Sequence, residues 1–169
     1  GNLSSSFNPD DEGDIQRDEN NNIIYDNVQL KMWSVTTGDD ANTQDDIVEA
    51  FNTLYDGMIH VETVHYSRYD LESLLNTTMQ FDQENAPDML FNHGMHAAEY
   101  KQREWIVGIE DYFEKAGTVL DQADFVPSLL DSVTLDNDLY GLPIDCHSAM
   151  VEIRTDILEK NGFSIPTNY

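Results

Sequence analysis

The run Val28-Gln29-Leu30-Lys31-Met32-Trp33, closed by the turn cluster Thr37-Gly38-Asp39-Asp40, decides how the rest of the chain is read. Apolar and polar side chains alternate through it, as they do in a β-strand whose successive residues point to opposite faces. Downstream, Thr43 and Asp46 have the form of a helix N-cap. Ile47, Val48, Phe51, Leu54 and Tyr55 then recur at helical spacing up to a stop at Gly57. His60 to Tyr66 is rich in β-branched and aromatic residues and reads as a second strand. Ser67 with Asp70 opens a second helix that turns Leu71, Leu74, Leu75 and Met79 inward. A third unit follows: Pro87, the short strand Met89-Leu90-Phe91, a loop at Asn92-His93-Gly94, and a helix from His96 to Gln102. Strand and helix alternate three times, which predicts an α/β fold with a mostly parallel sheet, right-handed crossovers and flanking helices.

Beyond these units, Ile109, Tyr112 and Phe113 up to Gly117, and then Phe125 to Val133 with Pro127 in the first turn, read as two short helices covering the sheet. Leu139 to Ile144 and Met150 to Arg154 read as two strands around a loop. A last helix runs from Asp156 to Asn161 and stops at Gly162. Residues 1–27, rich in Ser, Asn, Asp and Glu and without a sustained apolar period, read as a flexible acidic leader. No internal repeat of fixed period stands out.

Eight Lys and Arg against 33 Asp and Glu give a formal charge of -25. Such a surface repels nucleic-acid phosphates and anionic lipid, so nucleic acid is excluded as a partner. The single cysteine, Cys146, rules out an internal disulfide and a CxxC metal knuckle. No apolar run approaches the roughly 18 residues of a membrane span. The chain opens on no charged-then-apolar signal peptide, and the expectation is of a soluble protein whose export signal has been removed.

In an open parallel sheet, ligands bind beyond the carboxyl ends of the strands. The three loops there are Trp33 to Thr37, Tyr66 to Tyr69 and Asn92 to His96, which mix short polar side chains with rings. That chemistry suits a polyol, because rings stack on C–H faces while Ser, Thr and Asn satisfy hydroxyls. Each residue also has a structural reading: Trp33 and Phe91 end apolar strands, and Ser67 caps a helix. The signal is carried by the set of loops.

The order LKMWSVTTGDD, DIVEAFNTLYDG, HVETVHYS, LESLLNTTMQFDQENAPDMLF, IVGIEDYFEKAG and YGLPIDCHSAMVEIRTDILEKNG resembles the amino-terminal half of family 1 extracellular solute-binding proteins, the group containing maltose-binding protein. The specific pieces are Pro87-Asp88 before the third strand, the Tyr140-Gly141-Leu142-Pro143 turn, and Asp156, Leu158, Lys160 and Gly162 after the last strand. The resemblance implies a type II periplasmic-binding-protein-like lobe over residues 28–149, with 150–169 holding the first hinge strand, Met150 to Arg154, and the start of a second lobe. It implies a sugar-binding component of an ABC importer: a monomer, extracellular or periplasmic, that partners the permease's membrane subunits and touches the membrane only through a lipid anchor, with the leader as a lipoprotein tether. No enzyme activity, cofactor or metal is expected. By position, the family's ligand contacts fall on Trp33, Ser34, Tyr66, Ser67, Asn92, His93 and Asp145. Members of the family are much longer, so the chain reads as half of a clamp.

Cys146 and His147 are adjacent, but neighbours on an extended segment point to opposite faces and make a poor nucleophile and base pair. His93, His96 and Glu99 could share a helix face around a metal, but His93 falls in the loop. Asp18-x-Asn20-x-Asn22 starts like a calcium loop, but Ile23 stands where the glycine belongs and Gln29 where the bidentate Glu belongs. No dinucleotide, Walker or nucleophile-elbow motif occurs. The alternatives to sugar import are a solute-binding protein for a peptide, polyamine or metal, and a cysteine-dependent enzyme.

Overall fold

The computed structural model describes residues 16–147 and 150–166. A three-stranded parallel sheet is ordered β2-β1-β3, from β1 (Val28–Ser34), β2 (Ile59–His65) and β3 (Met89–Phe91). The crossovers carry α1 (Asp39–Leu54) and α2 (Arg68–Phe81). Trp33 packs on Leu71 and Leu75 of α2, whereas Ser34, the next residue, bonds Gln44 of α1. Successive strand residues face opposite ways, so the two helices cover opposite faces of the sheet.

Side chains complete the sheet's backbone pairing. β2 is an edge strand, and the Asn52 amide of α1 accepts from Val61 N–H at 2.8 Å and donates to Val61 C=O at 2.9 Å, occupying a peptide that a further strand would otherwise pair. On the other side, Asp88 donates its N–H to Lys31 C=O and its carboxylate accepts from Lys31 N–H at 2.8 Å. The Pro87-Asp88 pair thus clips β3 to β1 one residue before the ladder begins.

Helix α1 starts four residues before the Thr43 cap read from the sequence. Gly38, with φ 61°, stands at its N-cap, and Thr43 sits in the second turn, donating to Asp39 C=O at 3.0 Å. Asp39 and Asp40 place negative charge at the positive end of the helix dipole. The inward stripe is correspondingly rotated: Val48, Phe51 and Tyr55 are half-buried, while Ile47 and Leu54 are exposed. Helix α2 begins as read, with Ser67 Oγ accepting from Asp70 N–H.

The later helices do not cover the sheet. Helix α3 (Ala97–Gln102) brings Tyr100 into the first core, but α5 (Pro127–Ser132) contributes to a second, smaller core of Leu130, Val133 and Leu139, against which Ile109, at the N-cap of α4 (Glu110–Ala116), also packs. That core is closed by a hairpin the sequence reading missed, β4 (Thr134–Leu135) against β5 (Asp138–Leu139). Asp136 and Asn137 both take positive φ in its two-residue turn, a conformation these residue types tolerate. Lys101 ties the hairpin to α3 by contacts to Asp136 and Leu135 C=O.

The strands expected at 139–144 and 150–154 are not formed, apart from Leu139 in β5. Among the described residues no strand lies alongside Met150 to Arg154 to satisfy its ladder, and Met150, Val151 and Ile153 are exposed. Helix α6 (Thr155–Lys160) follows, ending before Gly162 at φ 75°.

Of the acidic leader, residues 1–15 lie outside the described residues. From Gln16 to Ile24 the chain closes on itself through an Arg17–Ile23 bridge, and Arg17 reaches Lys115 C=O at the end of α4. The Asp18 carboxylate accepts from Asn20 N–H and Asn22 N–H, both at 2.8 Å, and from the Asn22 amide at 3.0 Å; the Asn22 contacts foremost hold its pKa below the ordinary value. Its oxygens are spent on the turn that a calcium loop would have devoted to an ion.

Candidate functional site

Beyond the carboxyl ends of β1 and β3 lies a cleft of about 680 Å³. Thr36, Thr37 and Asp40 form its wall on the β1 side, and Phe91, Asn92 and His93 form it on the β3 side. The opposite wall comes from α5 and from the segment Leu142 to His147. Leu142 to His147 line the cleft without forming a strand.

Three of the seven residues singled out in the sequence meet here: Asn92, His93 and Asp145. Asn92 is held at both ends of its amide, donating to Tyr100 O–H at 2.9 Å and accepting from His93 N–H at 2.7 Å. The Tyr100 phenol is raised above its ordinary pKa, chiefly by burial and then by Glu72 and Glu99, so it is a neutral group supporting the loop. His93 is exposed and faces His147 edge-on, with 6.3 Å between ring centroids. Asp145 Oδ2 lies 3.6 Å from His147 Nε2.

The other four are elsewhere. Trp33 is 5% exposed in the first core, edge-on to Tyr66 at 5.6 Å. Ser34 is fully buried, its hydroxyl bonded to Gln44 at 2.6 Å and close to Thr36 at 2.8 Å. Tyr66 packs against the same core, and Ser67 is occupied as the α2 cap. The strand ends explain the offset, because Ser34 is still in register with both His65 and Phe91. The loop facing the cleft therefore starts later, at Val35, and Thr36 and Thr37 are the residues that reach it.

The chemistry of the walls is selective. Carboxylates of Asp40 and Asp145, threonine hydroxyls and the two imidazoles offer many acceptors, and Phe91 with Ile144 offers apolar surface. Among the described residues no Lys or Arg lines the cleft, so it suits a neutral polyhydroxy ligand or a cation better than an anion. Among the described residues, no group of three His, Cys, Asp or Glu is placed to hold a metal. His96 turns away to Glu72, 3.3 Å off without in-line hydrogen-bond geometry, and stacks on Tyr100, while Glu99 pairs with Arg103. His147 meets His93 and Asp145, and Cys146 is exposed.

No family model matches the chain. It is 26% identical over 117 residues, 69% of its length and 26% of the relative's, to an uncharacterized ABC transporter extracellular-binding protein of Pyrococcus horikoshii. Among solved structures, it is similar to an ABC transporter solute-binding protein of Agrobacterium vitis with bound D-mannitol (TM-score 0.62, 25% identity, 82% of this chain and 32% of that one). It is also similar to an ABC substrate-binding protein of Listeria monocytogenes in complex with cycloalternan (TM-score 0.61, 20% identity, 84% and 35%). The fold is that of a type II periplasmic-binding-protein-like lobe, as the sequence resemblance implied. The chain spans about a quarter to a third of the length of these relatives. No helix among the described residues is long and apolar enough to cross a membrane.

Proposed function

We propose that this chain, with the fold of a solute-binding-protein lobe, is the first lobe of the extracytoplasmic binding component of an ABC importer, holding a carbohydrate for delivery to the permease's membrane subunits. The observation that carries the reading is the cleft itself: it lies at the carboxyl ends of parallel strands and combines acceptors and apolar surface without a cation. Each sugar hydroxyl needs an acceptor for its hydrogen, and carboxylates such as Asp40 and Asp145 are the strongest available in water. Fold neighbours with bound D-mannitol and cycloalternan favour a polyhydroxy ligand over a peptide or polyamine.

On this reading, residues 28–149 form the lobe and 150–169 lead towards a second lobe that closes over the cleft. The exposed Met150, Val151 and Ile153 would gain a partner there. The protein acts by binding, without turnover, as a monomer, outside the cytoplasm. The leader serves as a tether, with a lipid anchor as the membrane contact.

Calorimetry on the two-lobe protein tests this, with D-mannitol, maltose, mannotriose and cycloalternan as the panel. Saturable heat with one of them, and recovery of that ligand unchanged, is the expected result. A silent panel combined with heat from a polyamine or peptide overturns the carbohydrate reading, and a cleaved ligand overturns binding without turnover.

A further inference from the structure

Helices α1 and α2 cover opposite faces of one sheet on unequal terms. Helix α2 buries Leu71, Leu75 and Thr78, whereas no residue of α1 is buried. The most covered apolar side chains of α1, Val48 and Phe51, are half-buried, and its remaining attachment is polar. Gln44 meets Ser34 and Thr36 at 2.6 and 2.7 Å, Asn52 bonds the Val61 peptide, and Asp45 Oδ1 lies 2.8 Å from His65 Nε2. An element held by so little buried apolar surface opens at a lower free energy than its neighbours.

The charge of α1 acts in the same direction. Its 16 residues carry Asp39, Asp40, Asp45, Asp46 and Glu49 and no Lys or Arg, and Asp56 follows just past its end. Asp39 and Asp40 gain from the helix dipole in the first turn, but Asp56 lies at the negative end. Glu49 stands three and four residues from Asp46 and Asp45, where like charges destabilise a helix. Among the described residues, the one ion pair of these carboxylates is Asp45 with the His65 imidazole. Cations are engaged elsewhere, Lys101 on Asp136 and Arg68, Arg103 and Arg154 on Glu72, Glu99 and Asp156. Helix α2 differs here too, since its Arg68 offsets one of its two carboxylates, Asp70 and Glu72.

Dissolved salt is the remaining source of compensation. At an ionic strength of about 10 mM the screening length is about 30 Å, longer than the about 24 Å of a 16-residue helix, so all of these carboxylates repel one another. At about 1 M it is about 3 Å, shorter than the about 5–6 Å between side chains one turn apart, and the repulsion is screened out.

We propose that α1 is a salt-responsive element of the fold: ionic strength sets how firmly it docks on the sheet, while α2 and the core beneath it stay in place. Opening of α1 carries away Asp40 and the Gln44 contact to Thr36, and both Asp40 and Thr36 line the cleft. Salt therefore completes the β1 side of the cleft wall. The consequence for a ligand rests on the binding role proposed for the cleft, whereas the docking of α1 does not.

Hydrogen exchange of the unliganded chain, read residue by residue by nuclear magnetic resonance in about 10 mM and about 1 M KCl, tests this. The measured quantity is the ratio of opening in α1 to opening in α2, in which an effect of salt on the whole molecule cancels. The two like-charge pairs made by Glu49 alone predict that the ratio falls by about two- to fivefold in salt. Glu49→Gln removes both pairs, and its ratio at low salt is already lower by about the same factor. A ratio that does not move with salt, a Glu49→Gln chain as salt-sensitive as the wild type, or loss of α2 together with α1 at low salt overturns the proposal. With no ligand present, the result does not depend on whether the cleft takes a carbohydrate.

Discussion

Trp33→Ala separates the two roles that the end of β1 allows. The ring is 5% exposed, packs on Leu71, Leu75 and Tyr100, and meets Tyr66 edge-on. Truncating such a side chain costs about 3–5 kcal/mol, through lost burial and the cavity left behind, and the edge-on ring contact accounts for about 0.5–1.5 kcal/mol. A domain is stable by only about 5–15 kcal/mol, so the loss is a large fraction of the whole. With a urea dependence of about 2 kcal/mol per molar, the unfolding midpoint falls by about 1.5–2.5 M. Circular dichroism follows the transition, with Trp105 left as the fluorescent reporter. Trp33→Phe, which keeps a ring in the core, shifts the midpoint less and leaves ligand affinity within about twofold, under 0.5 kcal/mol. A midpoint moved by less than about 0.5 M together with abolished ligand binding would refute the reasoning, because Trp33 would then be a binding platform and not a core residue.

Ser67→Ala removes the α2 cap and lowers stability by about 1 kcal/mol in a denaturant titration, with ligand affinity unchanged; Ser67→Asn restores most of the loss. The Lys101–Asp136 pair gives a pH signature. The Lys101 hydrogen bond and charge hold Asp136 below its ordinary 3.8, and the same hydrogen bond raises Lys101 above 10.5. A depressed carboxyl contributes stability above its unfolded value, lost as pH falls through the lowered folded one. A raised lysine contributes below its unfolded value, lost as pH rises through the raised folded one. The difference in thermal midpoint between the wild type and Asp136→Asn is therefore level from about pH 5 to about pH 9 and disappears in acid, as scanning calorimetry across pH would show.

What the sequence made readable was local. Ser67 with Asp70, the Leu71–Leu75 stripe and Pro127 in a first turn are decided within a few residues, and each appears where it was read. The failures concern features that depend on distant partners. Thr43 has the pattern of a cap, but Gly38 ends the preceding loop sooner and the helix begins at the two aspartates beyond it. The 150–154 segment has strand-like residues, yet a strand exists only through a neighbouring ladder, and among the described residues none is alongside. The β4–β5 hairpin escaped notice because its two-residue strands are too short to alternate, leaving the Asp136-Asn137 turn as the only signal.

The site follows the same logic, and its offset has a cause. A central parallel strand is covered on both faces, so Ser34 is as buried as Trp33. A serine there must find partners, and it finds them in Thr36 and Gln44, which brings the polar network to the edge of the cleft. Where the strand stops is set by its neighbours, since β2 reaches His65 and β3 reaches Phe91, both in register with Ser34. On the β1 side the cleft lining begins past that line, at Val35 and Thr36, whereas on the β3 side Leu90 and Phe91 of the strand itself line the cleft together with Asn92. Register is a relation between segments far apart in sequence, and for that reason the chain alone points to three loops of which the structure brings the first and third to the cleft, through Thr36 and Thr37 and through Asn92 and His93, and leaves the second, Tyr66 to Tyr69, outside it.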